Sequence, residues 1–188
     1  MTREAPIKTE TTFEDFLAFE MHSQERHEFV DGNLFVMSGG TDRHNHLISR
    51  IIVRLFEIAI GHNGNLYQSD VLIRTASGKG YYPDVFVVFD KLLDTARVKY
   101  RPAVIIEVLS DSTETIDRGE KWQAYQQIPS LEQYVLLSQV EPIAEVFSRD
   151  GADWRYKKLE GDAALHFPSL EFEVVLSSLY AQLPPLEA

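Results

Sequence analysis

Two acids stand in segments that otherwise read as buried strand: Asp84, just ahead of Val85-Phe86-Val87-Val88-Phe89, and Glu107, inside Ala103-Val104-Ile105-Ile106-Glu107-Val108-Leu109. Short, nearly continuous apolar runs rich in β-branched residues are the pattern of strands covered on both faces. An ionised carboxylate there is costly unless a cation or hydrogen-bond donors compensate it. Farther along, Asp117, Lys121 and Tyr125 fall at i, i+4 and i+8 of an expected helix and so share one of its faces. A helix that follows the Glu107 strand must pack back across the sheet, which can carry the Lys121 ammonium to the two acids. Such a group suits a hard cation. Mg²⁺ commonly takes one or two carboxylates and keeps waters that a substrate displaces. It also makes bound water more acidic and stabilises charge on a phosphodiester in the transition state. The chemistry implied is metal-assisted hydrolysis, with Lys121 orienting the water or offsetting developing negative charge.

Each residue also has a plainer reading. Asp84 alone could be a strand-start residue that accepts backbone hydrogen bonds. Glu107 could form a buried ion pair with Lys121 or an arginine. Asp117 and Lys121 could be an exposed helix pair worth a few tenths of a kcal/mol. Tyr125 could be helix-packing core, Glu28 could pair across its hairpin, and His46 could cover apolar surface. His44 and Asp42 read as a helix cap and a solvated face. Tyr81, Tyr82 and Trp122 could stack on bases, although core or rim packing is the commoner use of such rings.

The composition limits what these residues can be part of. The chain has 188 residues, 44% hydrophobic and 25% charged, which fits one globular domain, residues 1–188, with a loosely ordered arm over 1–11. No apolar run is long enough for a bilayer and Met1-Thr2-Arg3-Glu4-Ala5 lacks a signal-peptide core, so a cytoplasmic, non-membrane protein is expected. Cysteine is absent, which excludes thiolate metal sites and a cysteine nucleophile and makes any metal site oxygen-rich. A formal charge of −11 argues against a nucleic-acid partner in general. It does not describe the local field: Arg43, Arg50, Arg54, Arg74, Lys79, Arg97, Lys99 and Arg101 could form a locally positive surface.

The elements that must position the acids can be read from pattern. Thr12 with Asp15 three residues on opens a short helix. Asp31-Gly32 is a hairpin turn between Arg26–Val30 and Asn33–Met37, followed by a Ser38-Gly39-Gly40 loop. Apolar residues at helical spacing from Thr41 to Ile60 mark the principal helix, stopped by Gly61 and Asn63-Gly64. Strands are expected at Leu66–Thr75, Asp84–Asp90 and Val104–Leu109, a polar loop at Lys91–Arg101, and a helix at Glu114–Gln127 before Pro129. Short strands at Gln133–Leu137, Ala144–Ser148, Trp154–Leu159 and Phe172–Val175 close the chain.

Pro83-Asp84, Glu107-Val108-Leu109-Ser110, Ser112-Thr113, Asp117, Lys121 and Tyr125, taken together, resemble the signature of the Uma family of restriction-endonuclease-like proteins, in the PD-(D/E)xK superfamily. Glu28-Phe29-Val30-Asp31-Gly32 and Arg43-His44-Asn45-His46 extend the likeness over most of the chain. The resemblance implies an α/β fold with a restriction-endonuclease-like mixed central sheet flanked by helices, and with additional β-hairpins. It implies a magnesium-dependent endonuclease acting on DNA, with Mn²⁺ as a substitute ion and Asp84 and Glu107 as its holders. It makes Glu28 an additional acid at the site; His46, which could donate to a phosphate, joins the candidate catalytic group, and Asp117 and Tyr125 are the candidate substrate-binding residues. The sequence departs from the wider superfamily where a lysine is expected two residues after the glutamate: Leu109 stands there, and Lys121 is the natural substitute. A weak or inactive binding module of the same fold, and a hydrolase of small phosphoesters, are the alternatives. Strand edges in the extra hairpins make a homodimer an expected assembly.

Overall fold

A computed structural model describes residues 5–37, 39–90 and 94–186. Helix α1 (Phe13–Glu20) starts where expected, with the Thr12 hydroxyl accepting from the Asp15 amide at 3.1 Å. Strands β1 (His27–Val30) and β2 (Asn33–Val36) are joined by Asp31 and Gly32 at φ 50° and 81°, the left-handed pair that a two-residue hairpin requires. The arm expected to be loose instead follows this hairpin: Ile7 N donates to Leu34 O and Thr11 N to Gly32 O, each at 2.9 Å. Its first four residues lie outside the described ones, as does Ser38 of the expected loop.

Helix α2 (Asp42–Gly61) is capped by Thr41, whose hydroxyl accepts from the His44 amide at 3.2 Å. Thr41, not His44 or Asp42, is therefore the cap. The stretch expected as one strand from Leu66 to Thr75 breaks at the turn formers Ser69 and Asp70 into β3 (Asn65–Gln68) and β4 (Leu72–Arg74), which belong to different sheets. Then come β5 (Gly80–Tyr81), β6 (Val85–Val88), β7 (Val98–Lys99) and β8 (Val104–Leu109). The short β7 falls in the expected loop, of which residues 91–93 lie outside the described ones.

The expected helix from Glu114 is not continuous: α3 (Glu114–Ile116), a π turn (Asp117–Lys121) and α4 (Trp122–Tyr125) replace it. Strands β9 (Gln133–Ser138), β10 (Ile143–Asp150), β11 (Asp153–Glu160), β12 (Ala164–Phe167) and β13 (Phe172–Val175) complete the chain. β12 falls where no strand is expected and forms by pairing with β13.

The central sheet has the order β11-β10-β9-β8-β6-β3 and is mixed, because β8 and β9 run parallel while its other pairs are antiparallel. A second sheet has the order β2-β1-β5-β4-β7, and β12 pairs with β13 alone. A parallel pair needs a crossover, and the segment Glu114–Tyr125 supplies it, which is why it returns across the sheet beside Glu107.

Alternation divides the central sheet. Val85, Val87, Val104, Ile106 and Val108 join the α2 core, whereas Phe86, Val88, Ile105 and Leu109 join the core with Tyr81, Tyr125 and Tyr134. By the same period of two, Asp84 and Glu107 belong to the second face. Among the described residues no helix is long and apolar enough to cross a membrane.

Candidate active site

The antiparallel register that sets Val85 against Ile106 brings Asp84 opposite Glu107. The two lock each other through the main chain: Asp84 N donates to Glu107 Oε2 at 3.0 Å and Val108 N donates to Asp84 Oδ2 at 2.7 Å. These bonds occupy one oxygen of each acid. Asp84 Oδ1 lies 3.3 Å from His44 Nε2, and Glu107 Oε1 accepts from Lys121 Nζ at 3.1 Å and from the Tyr125 hydroxyl at 3.3 Å.

Lys121 is the hub. Its ammonium also lies 2.9 Å from Asp117 Oδ1 and 3.3 Å from Glu28 Oε1. Its side chain is 7% exposed and those of Glu28, Glu107 and Asp117 are 8%, 3% and 2%, so this is a buried cluster and not an exposed helix pair. Three carboxylates, those of Glu28, Glu107 and Asp117, thus surround one ammonium, and Asp84 adjoins them through its bond to Glu107. Burial pushes the Glu107 carboxyl well above its ordinary range; the Asp117 and Asp84 charges push it further, while Lys121 and the Asp84 amide pull it back. Asp117 is raised as well, by burial against the opposing pull of Lys121. Burial alone would lower Lys121, but Asp117, Glu107 and Glu28 outweigh it and hold the amine charged. The cluster carries more negative charge than its own cation neutralises.

These six side chains, His44 included, line a cleft of about 280 Å³. One wall is apolar, with Ile7, Phe35, Val36 and Met37, and another carries the hydroxyls of Ser110, Ser112 and Thr113. Ser110 Oγ lies 3.0 Å from both Ser112 Oγ and Thr113 Oγ1. Oxygen-only donors, excess negative charge and an adjoining cleft fit a hard divalent ion. Among the described residues no three His, Asp or Glu side chains converge closely enough to hold a metal ion by themselves. An ion at Asp84 and Glu107 would therefore take the rest of its shell from water, as Mg²⁺ commonly does.

Sequence-derived expectations for four residues need adjustment. His46 is half exposed and lies 3.4 Å from Asp42, away from the cleft; the histidine at Asp84 is His44. His44 lies three and four residues before Leu47 and Ile48, at the head of the buried stripe of α2, and that spacing was the available signal. Tyr125 is fully buried and supports Glu107 from behind, out of a substrate's reach. Asp117 lines the cleft, is 2% exposed and lies 2.9 Å from Lys121 Nζ. Trp122 stacks on Phe147 at 4.3 Å and meets Trp154 edge-on, and the Tyr81 hydroxyl donates to Glu120, so these rings are packed internally.

Comparison with known proteins adds to this geometry. The model of the family Uma2, described as "Putative restriction endonuclease", matches residues 13–178. Two proteins of Synechocystis sp. are similar, both described as uncharacterized. One is 29% identical over 174 residues, covering 90% of this chain and 91% of its own. The other is 30% identical over 159 residues, covering 81% and 89%. The crystal structure of a protein from Anabaena variabilis, described as "a putative nuclease belonging to DUF820", matches with a TM-score of 0.75. That match covers 92% of this chain and 99% of the other at 15% identity, which is a likeness of fold.

Proposed function

Because the chain belongs to the Uma2 family, we propose that it is a divalent-metal-dependent endonuclease that hydrolyses DNA phosphodiester bonds in the cleft beside Asp84 and Glu107. The observation that carries this reading is a cluster of four carboxylates that holds a single ammonium, in contact with three of them, beside a cleft open to a ligand. Asp84 and Glu107 are the residues that would hold Mg²⁺ or Mn²⁺. When bound, such an ion supplies Lewis acidity and a more acidic water.

The protein's own groups prepare the site in advance. The reciprocal amide bonds of Asp84 and Val108 fix the direction of both holding carboxylates, and the Tyr125 hydroxyl fixes Glu107 further. Glu28 and Asp117 keep Lys121 protonated, so it acts as a fixed positive charge and hydrogen-bond donor, not as a base. In that state it donates to the attacking water or to a phosphate oxygen, where charge grows in the transition state. Its position on the crossover, instead of two residues after Glu107, puts the ammonium on the same carboxylate oxygen from a different element.

The test is cleavage of single-stranded, duplex and branched DNA with Mg²⁺ or Mn²⁺, comparing the native protein with Asp84→Asn and Glu107→Gln after a circular-dichroism check of folding. The expected outcome is metal-dependent cutting that falls at least a hundredfold in each variant. A native protein that neither binds Mn²⁺ nor cuts any of these substrates would falsify the proposal. A second reading, a nuclease-like binding module without strong catalysis, is favoured by Leu109 at the position of the superfamily lysine. Oligonucleotide binding without cleavage would decide for it.

A further inference from the structure

The acidic cleft leaves a problem for a polyanionic substrate. Its ammonium is held by three acids, and the whole chain carries −11. Phosphates beyond the reacting one need positive charge somewhere else. Most basic side chains are already engaged: Arg74, Lys79, Arg101, Arg118 and Arg155 each pair with a carboxylate. Arg43 and Arg149 donate to main-chain carbonyls.

Arg50 and Arg54 differ. They line a surface hollow of about 500 Å³ together with His46, and among the described residues neither has a hydrogen-bond or ion-pair partner. His46, Arg50 and Arg54 stand at i, i+4 and i+8, neighbours along one side of α2. The acids of this helix are Asp42, 3.4 Å from His46, and Glu57, past the end of the stripe. The stripe starts at the end of α2 where His44 touches Asp84, but on the other side of the helix, since His46 is turned about 200° from His44. At the helical rise, Arg50 and Arg54 lie about 9 and 15 Å beyond His44 along the axis, so a strand reaches them by passing round the N-terminal end of α2.

We propose that the outer side of α2, through Arg50 and Arg54 with His46, binds the sugar-phosphate backbone of the nucleic-acid substrate outside the cleft. This rests on the endonuclease reading of the cleft and names where the rest of the strand runs. Two unpaired guanidinium groups one turn apart suit successive phosphates, since each presents a rigid fork of donors to phosphate oxygens. His46, expected from sequence to meet a phosphate, keeps that role at this second location and not in the cleft.

The test is fluorescence anisotropy of labelled twenty-nucleotide single-stranded and duplex DNA with the full chain, in Ca²⁺ to suppress turnover, over a range of salt. The native protein is compared with Arg50→Gln/Arg54→Gln and Arg50→Lys/Arg54→Lys. The glutamine pair should lose about tenfold or more in affinity and lower the slope of log K against log salt by about two, at roughly 0.9 per phosphate neutralised. The lysine pair should keep the slope. An unchanged affinity and slope in the glutamine pair overturns the proposal. So does a change of that pair from dimer to monomer in sedimentation, which would make this side of α2 a seam between copies. Mn²⁺-dependent hydrolysis of bis(4-nitrophenyl) phosphate by the native protein separates the two ideas. Hydrolysis without oligonucleotide binding sinks the stripe and keeps the cleft; stripe-dependent binding without hydrolysis sinks the cleft and keeps the stripe.

Discussion

Two buried polar groups sit on either side of Tyr82, and they are balanced differently. In the first, Glu20 is 6% exposed and every neighbour is a donor. The His27 amide and the Tyr82 hydroxyl donate to Oε1 at 3.0 and 3.1 Å, His27 Nδ1 lies 2.9 Å from Oε2, and Arg26 stands 3.9 Å away. In the second, three acids share Lys121, and a fourth, Asp84, is tied to one of them through its amide. Both groups bury carboxylate, so burial does not distinguish them. The difference is the count of acids against cations: the first meets donors of its own, and the second gathers more acids than cations.

The largest effect should come from removing the single cation of the second group. Lys121→Met leaves the acids uncompensated and should cost about 3–5 kcal/mol in metal-free unfolding experiments. Mn²⁺ should recover part of that loss, about 2.7 kcal/mol at a hundred times the dissociation constant. Glu20→Gln breaks the balanced group and should cost about 1–3 kcal/mol, with no recovery on adding metal. Equal metal responses in the two variants would erase the contrast.

The third effect concerns pH. The raised carboxyl of Glu107 stays protonated in the fold at pH values where the unfolded chain, near its ordinary 4.5, has released its proton. The stability from this group is therefore complete below that value and declines as pH rises through the raised one. The slope is at most about 1.4 kcal/mol per unit per proton. Metal-free protein should lose stability from acid toward neutral pH, and Glu107→Gln should flatten the decline in a pH series of thermal melts. Lys121, raised above its ordinary 10.5, stays charged across that window and does not contribute to the slope.

The smallest effect on stability should be at Gly40. A methyl there would fall 2.6 Å from His44 Cδ2, so Gly40→Ala must displace the imidazole from Asp84 while touching little else. Stability should change by less than about 1 kcal/mol, yet cleavage should fall about tenfold or more, because small misplacements in a site are costly. The same substitution should leave the Glu20 group unaffected, which a histidine NMR titration of His27 would check.

The legibility of the chain follows a physical division. Elements with a strong period of their own, such as α2 and the Asp31-Gly32 hairpin, were read within a residue or two. Asp84 and Glu107 stand out because acids in or beside β-branched runs violate the local pattern, and Asp117 and Lys121 because of their helical spacing, whereas Glu28 joins them only through the family resemblance. What escaped was set by tertiary contacts. β7 is too short to carry a period and forms by pairing with β4, which itself lies inside a stretch expected as strand. The π turn has no signature in the propensities of Asp117–Lys121, and the buried ammonium and acids at its two ends are a feature of the folded cluster. Tyr125 shares its helix side with Lys121, as spacing indicated, but only the packing against Tyr81 and Tyr134 shows that it faces inward.

The crossed amide bonds between the two strands have a use in the laboratory. The N–H groups of Asp84 and Val108 each end on a carboxylate of the opposite strand, so their nitrogen and proton resonances register any change in the charge those acids carry. A two-dimensional amide spectrum recorded during a titration with a diamagnetic divalent ion would thus report occupancy at two specific peaks, with no label or substrate attached.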